Sequence, residues 1–144
     1  MSHLVTVRHN FETAHRLPHL PGKCQALHGH SWWAEVTVAA PALSPDGLVV
    51  EFGPLKKQLR AWIDEHLDHG AMLGAADPLL PVLRAHGSKV YEIEEWPTVE
   101  ATAELLAHVA QAVLEDLVRA EGAHVSRVHV AETHVNAATW EVAA

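Results

Sequence analysis

The stretch His28-Gly29-His30-Ser31-Trp32-Trp33-Ala34-Glu35-Val36-Thr37-Val38-Ala39 sets the frame for the chain around it. From Ser31 to Ala39 it alternates with a period of two, which predicts a half-buried strand. Trp32, Ala34, Val36 and Val38 share one face; Trp33, Glu35 and Thr37 share the other. His28 and His30 have the parity of the apolar face, so two imidazoles continue the buried row where the strand begins. In extended chain, residues i and i+2 project together, as two ligands of one metal must. A bare His-x-His is also a turn with two solvated rings, and the chain carries 13 histidines. Several of these, such as His3, His19, His108 and His124, read as surface residues.

Three further features favour ligands. Leu4 to Phe11 alternates as a first strand, and His15 follows it closely. Catalytic zinc takes three protein ligands and leaves a fourth position open, and His15, His28 and His30 supply that number. Cys24 lies between them in Pro21-Gly22-Lys23-Cys24-Gln25, a polar loop and not a core segment. A thiolate both ligates metals and attacks carbon, so Cys24 is a candidate fourth ligand, base or nucleophile.

Two other places carry chemistry. In Asp68-His69, the imidazole is either a charged group favoured by a helix C-terminus or a general acid/base oriented by a carboxylate. Glu132 ends the row Val128, Val130, Glu132. Either that strand has reached solvent, or the carboxylate awaits a partner. A ligand edge with two adjacent N–H groups would give it a bidentate match.

The rest of the chain reads as follows. Residues 16–27 form a loop with Pro18, Pro21 and Gly22. Ser44-Pro45-Asp46-Gly47 is a turn, and Leu48 to Phe52 is expected as a third strand in a hairpin with the second. Pro54 to about His66 reads as a helix on the spacing of Leu55, Leu59, Trp62 and Ile63. Residues 70–88 read as irregular, with a short helical piece at Leu79 to Arg84, and Lys89 to Glu94 as a short strand. Thr98 caps a long helix with a stripe of Val99, Ala103, Leu106, Ala110, Val113 and Leu117, which Gly122 stops. Val125 to Glu132 and Thr139 to Val142 are the last two strands. Hairpins predominate, so the expected class is α+β: an antiparallel sheet with two helices on one face.

Size and charge bound the function. The 144 residues fit one domain, 1–144. A formal charge of −8 argues against a nucleic-acid partner, and no apolar run reaches the roughly 18 residues of a membrane span. Met1 to Asn10 lacks the basic start and apolar block of a signal peptide, so a cytoplasmic location is expected. One cysteine excludes an internal disulfide and a multi-cysteine metal site.

Taken in order, these residues resemble the 6-pyruvoyltetrahydropterin synthase superfamily over nearly the full length. They look closest to its 6-carboxytetrahydropterin synthases of queuosine and deazapurine synthesis. The resemblance rests on Phe11, Ala14 and His15; Cys24-x-x-x-His28-Gly29-His30; Gly47-x-Val49-x-Glu51-Phe52-x-x-Leu55-Lys56; Leu67-Asp68-His69; Pro97-Thr98-x-Glu100; and Glu132-Thr133. The three residues between Cys24 and His28 match the 6-carboxy subgroup, since the pyruvoyl-forming enzymes carry a longer insert there. Glu51 stands where Asp is usual, and Ala101 where Asn is common.

The resemblance implies a tunnelling (T-) fold: a four-stranded antiparallel sheet with two helices, assembled into a homo-oligomeric ring, hexamer or tetramer, with active sites at subunit interfaces. It implies Zn2+ on His15, His28 and His30, proton handling by Cys24 with Asp68 and His69, and pterin binding by Glu132 with Thr98 and Glu100. The implied reaction is a lyase step from 7,8-dihydroneopterin triphosphate to 6-carboxy-5,6,7,8-tetrahydropterin, with release of acetaldehyde and triphosphate. Arg8, Arg16 and Lys23 are candidate phosphate contacts on a different ground, their closeness in sequence to the metal strand. The competing expectations are pyruvoyl-type triphosphate elimination, dihydroneopterin side-chain cleavage, and a zinc-stabilised binding protein without turnover.

Overall fold

Two long strands carry the molecule. β1 (His3–His15) and β2 (His28–Ala40) pair antiparallel from His3 opposite Ala40 to His15 opposite His28. The computed structural model describes residues 1–143. After β2 come α1 (Phe52–His66), β3 (Gly70–Gly74), α2 (Leu79–His86), β4 (Val90–Ile93), α3 (Val99–Glu115), β5 (His124–Ala131) and β6 (Ala137–Glu141).

Among the described residues the sheet has six strands in the order β4-β3-β1-β2-β5-β6. β1, β2, β5 and β6 pair antiparallel, each with its neighbour, whereas β3 and β4 join parallel at the β1 side. Among the described residues the sheet is therefore larger than the expected four strands and mixed, and there are three α-helices rather than two.

Alternation decides which face is covered. Val7, Phe11, Thr13 and His15 of β1 are buried, as are Trp32, Ala34, Val36 and Val38 of β2. Against them pack Leu55, Leu59 and Ile63 of α1 and Ala103, Leu106, Ala110 and Leu114 of α3. The steps of three and four put each set on one helical stripe. Burying such side chains contributes about 1.5–3 kcal/mol each for the larger ones. Thr98 caps α3, its Oγ1 accepting the Ala101 N–H at 3.0 Å.

Several expectations need correction. Leu48 to Phe52 is not a strand: Val49 and Val50 are buried, but they meet the loop after α3 through one bridge, Val50 to Arg119, and one Ala120 N–H donated to the Val49 carbonyl. The edge of β2 expected for them is taken by β5. α1 starts at Phe52, before Pro54. α3 ends at Glu115 rather than at Gly122.

Residues 70–74, expected irregular, form β3. This strand lies between β1 and β4 with Ala71, Met72 and Leu73 all buried, so it shows no alternation. Buried parallel strands read this way. Its glycines looked like breakers but permit close approach: a methyl on Gly74 would collide with the Glu95 carbonyl oxygen and lie 2.7 Å from Trp96 Cε3.

Candidate metal centre and active site

The register of β1 and β2 builds the site. His15 lies directly opposite His28, and His30 lies opposite Thr13, one step diagonal from His15. Same-face side chains in those relations are within contact range. The imidazole centroids stand 4.7 Å (His15–His28), 5.3 Å (His15–His30) and 4.8 Å (His28–His30) apart. One ring nitrogen from each lies within 4.8 Å of the others.

Backbone carbonyls turn the rings inward. His15 Nδ1 bonds the Pro97 carbonyl at 2.7 Å, and His28 Nδ1 bonds the Ala26 carbonyl at 2.7 Å. With Nδ1–H donating, each Nε2 keeps its lone pair for the centre, the arrangement that orients metal-bound histidines. Trp32 floors the cluster, its ring meeting His15 at 4.9 Å and His30 at 5.6 Å. Its own N–H is donated to the Thr13 carbonyl at 3.0 Å, so the buried indole is satisfied.

One atom is conspicuously unsatisfied. His15 is 1% exposed, and its Nε2 has no hydrogen-bond partner. Glu132 Oε1 stands 3.1 Å away, but off the line a hydrogen bond requires. An unpaired buried acceptor costs about 1–3 kcal/mol, a penalty that a bound cation removes. Burial lowers the pKa of His15 and of His30, keeping both imidazoles neutral and ligand-ready at pH 7. Zinc with bonds of about 2.1 Å draws its nitrogens to roughly 3.4 Å apart, so a small inward shift of the rings completes a cage. The residues present fit a divalent metal.

Residues 4–142 match the 6-pyruvoyl tetrahydropterin synthase family. The chain belongs to this family. The 6-carboxy-5,6,7,8-tetrahydropterin synthase of Rickettsia bellii is 33% identical over 130 residues, 89% of this chain and 92% of the relative. That of Synechocystis is 47% identical over 64 residues, 42% of this chain and 50% of the relative. Among solved structures, an uncharacterized protein from Wolinella succinogenes superposes with a TM-score of 0.83 at 20% identity, covering 99% of both chains. The 6-pyruvoyl tetrahydropterin synthase of Caenorhabditis elegans does so with a TM-score of 0.70 at 20% identity, covering 99% of this chain and 97% of that one. The chain is an enzyme of the pterin synthase kind, a lyase, like the relatives that carry the 6-carboxy name.

Within that frame, the structure unites some expected site residues and separates others. Glu132 follows the last residue of β5 and leans onto the cluster, 3.1 Å from His15 Nε2 and 3.7 Å from His30 Nε2. With His30, Ser31, Trp33, Ala131, Thr133 and His134 it lines an open groove of about 540 Å³. Asp68 and His69 do form the pair that sequence left open: Asp68 Oδ2 accepts from His69 Nδ1 at 2.7 Å. Asp68 Oδ1 also accepts the Glu12 N–H at 2.8 Å, fixing the pair to β1. Burial works to raise the Asp68 carboxyl, but the Glu12 N–H, His69 and Arg60 outweigh it and hold it below the usual carboxylate range. His69 has a φ of 59° and an exposed ring directed to solvent, without contact with the three histidines. Cys24 sits half-buried in a 3-10 turn, Lys23–Gln25, and does not join the cluster. Thr98 lines a separate cleft of about 580 Å³, and Glu100 is exposed on the first turn of α3.

Two expected phosphate contacts are engaged elsewhere. Arg16 makes a two-armed ion pair with fully buried Asp77, and Arg8 pairs with Glu35 at 2.6 Å. Among the described residues Lys23 alone of the three carries no such pair. The Pro97 carbonyl was invisible to side-chain reasoning. The floor residue Trp32 was signalled by its shared parity with His28 and His30.

Proposed function

We propose that the chain is a zinc-dependent lyase that converts 7,8-dihydroneopterin triphosphate to 6-carboxy-5,6,7,8-tetrahydropterin, releasing acetaldehyde and triphosphate. The observation that carries this reading is the convergence of three imidazoles, two of them oriented by backbone carbonyls, at the head of a groove that also holds Glu132. Relatives named for this product, at 31–33% identity over 89% of this chain, support the 6-carboxy reaction over the pyruvoyl one.

His15, His28 and His30 would hold the ion, which supplies Lewis acidity toward substrate side-chain oxygens and eases loss of a neighbouring C–H proton. Glu132 orients the pterin by accepting from its amide and amino N–H groups. Cys24 takes the side-chain proton as thiolate, and His69, held by Asp68, relays protons to the departing groups. Thr98 and Glu100 contribute to the ring pocket.

Homo-oligomeric assembly, as a hexamer or tetramer, would bring these groups together at subunit interfaces. What supports assembly is the open strand edge: β3 flanks β1 only at Thr13–His15, and from there Arg60 and Asp68 meet its backbone at Asn10 and Glu12. Leu4 to Arg8 is met by no strand on that side among the described residues, and a second copy pairing there removes the exposed edge. The product feeds tRNA queuosine or deazapurine synthesis in this reading, in the cytoplasm.

Metal analysis tests the reading. About one zinc per chain is expected in purified active protein. A zinc-free protein that is folded and fully active would end it.

A further inference from the structure

We infer that Trp96 is a positioning residue for the metal centre: its ring, lodged against Gly74 and covered by His19, fixes the Pro97 carbonyl that orients His15. The inference rests on the reading of His15 as a metal ligand.

Each link is a contact. Trp96 is followed by Pro97, whose carbonyl accepts from His15 Nδ1 at 2.7 Å inside the protein. A carbonyl orients a ring only as firmly as its own peptide is held. Proline fixes φ of residue 97, and the Thr98 N–H bonds back to the Trp96 carbonyl at 2.9 Å. The rest of the restraint comes from the indole. Its benzo edge packs on β3 where Gly74 leaves no room for a Cβ, with Cε3 2.7 Å and Cζ3 3.1 Å from where that atom would stand. The exposed His19 stacks on the ring at 4.3 Å with the planes 13° apart. Trp96 thus links three segments: β3, the loop after β1, and the cap of α3.

A tryptophan at this place is not needed to fill the core, since it is only half-buried at the rim of the 580 Å³ cleft. A flat ring between a glycine and an imidazole serves geometry more than burial. The partners that orient a metal-bound histidine are commonly worth about 10–100-fold in metal affinity.

The test uses the full chain with Trp96→Ala and Trp96→Phe. Zinc affinity is measured by competition with a chromogenic chelator, and the His15 Nδ1–H proton by NMR of the metal-free protein. Trp96→Ala should weaken zinc about 10–100-fold and lose the protected Nδ1–H signal. Trp96→Phe, which keeps a flat face for His19, should hold zinc affinity close to the parent's and retain the protected Nδ1–H signal. If Trp96→Ala does not fold, Trp96→Leu, apolar but without the flat face, carries the same comparison. A lower melting temperature with unchanged zinc affinity and an unchanged Nδ1–H signal would overturn the inference. A parent chain that binds no zinc overturns the metal reading itself, and is recognised before any variant is compared.

Discussion

Removing the His28 side chain is the sharpest way to question the three-histidine cage. His15 is a poor target, because it is buried against Trp32 and its loss leaves a cavity that destabilises the fold whatever it binds. His28 is half-buried at the start of β2, so His28→Ala removes a ligand with little packing loss. A three-ligand site worth roughly 12 kcal/mol loses on the order of 4 kcal/mol per ligand, about 1,000-fold in Kd. At zinc 1,000 times the parent Kd, binding stabilises the parent by about 4.1 kcal/mol, whereas the variant, then near its own Kd, gains only about 0.4 kcal/mol. With an unfolding entropy of about 2.1 cal/mol/K per residue over 144 residues, these become shifts of about 14 °C and about 1 °C. The assay is thermal unfolding with and without zinc, with His134→Ala as a control that retains the full shift. Equal zinc shifts in the parent and in His28→Ala would refute the cage.

Four other outcomes follow from the same geometry. His9 is buried with an unpartnered Nε2, and burial, then Arg60 and Lys56, hold its pKa below the ordinary 6.5. The unfolded chain therefore binds the proton first, and stability falls as pH drops below about 6.5. His9→Leu should raise stability by about 1–2 kcal/mol and flatten that acid-side loss, read as melting temperature against pH; an unchanged slope would contradict it. Asp68→Asn should keep zinc content but lower turnover about 100-fold, because His69 loses its carboxylate; parent-like kcat would remove the pair from the chemistry. Glu132→Gln should weaken pterin binding by roughly 1.5–3 kcal/mol with little change in melting temperature, and unchanged affinity would remove the anchor. Cys24→Ala should bind zinc like the parent and lose turnover, whereas full turnover would exclude the thiol.

The legible part of the site was the part written in strand parity. His28, His30 and Trp32 share a face by alternation alone, and His15 was marked as the third ligand by its place after the first strand. Sequence could not supply the rest, because it depends on contacts between distant segments. The Pro97 carbonyl reaches His15 across 82 positions, and a backbone acceptor leaves no trace in residue type. Arg16 looked available beside the metal strand until Asp77, 61 positions on, claimed it. β3 was missed because a strand buried on both faces loses the alternation that reveals strands. Leu48 to Phe52 was misread because a short apolar run buried under a loop has the composition of a strand.

The central claim is the identity of the product. Incubating the zinc-loaded protein with 7,8-dihydroneopterin triphosphate and recording the mass spectrum of the pterin tests it directly. The account predicts 6-carboxy-5,6,7,8-tetrahydropterin, with one acetaldehyde and one triphosphate per turnover. A 6-pyruvoyl product with no acetaldehyde, or unchanged substrate, would contradict it.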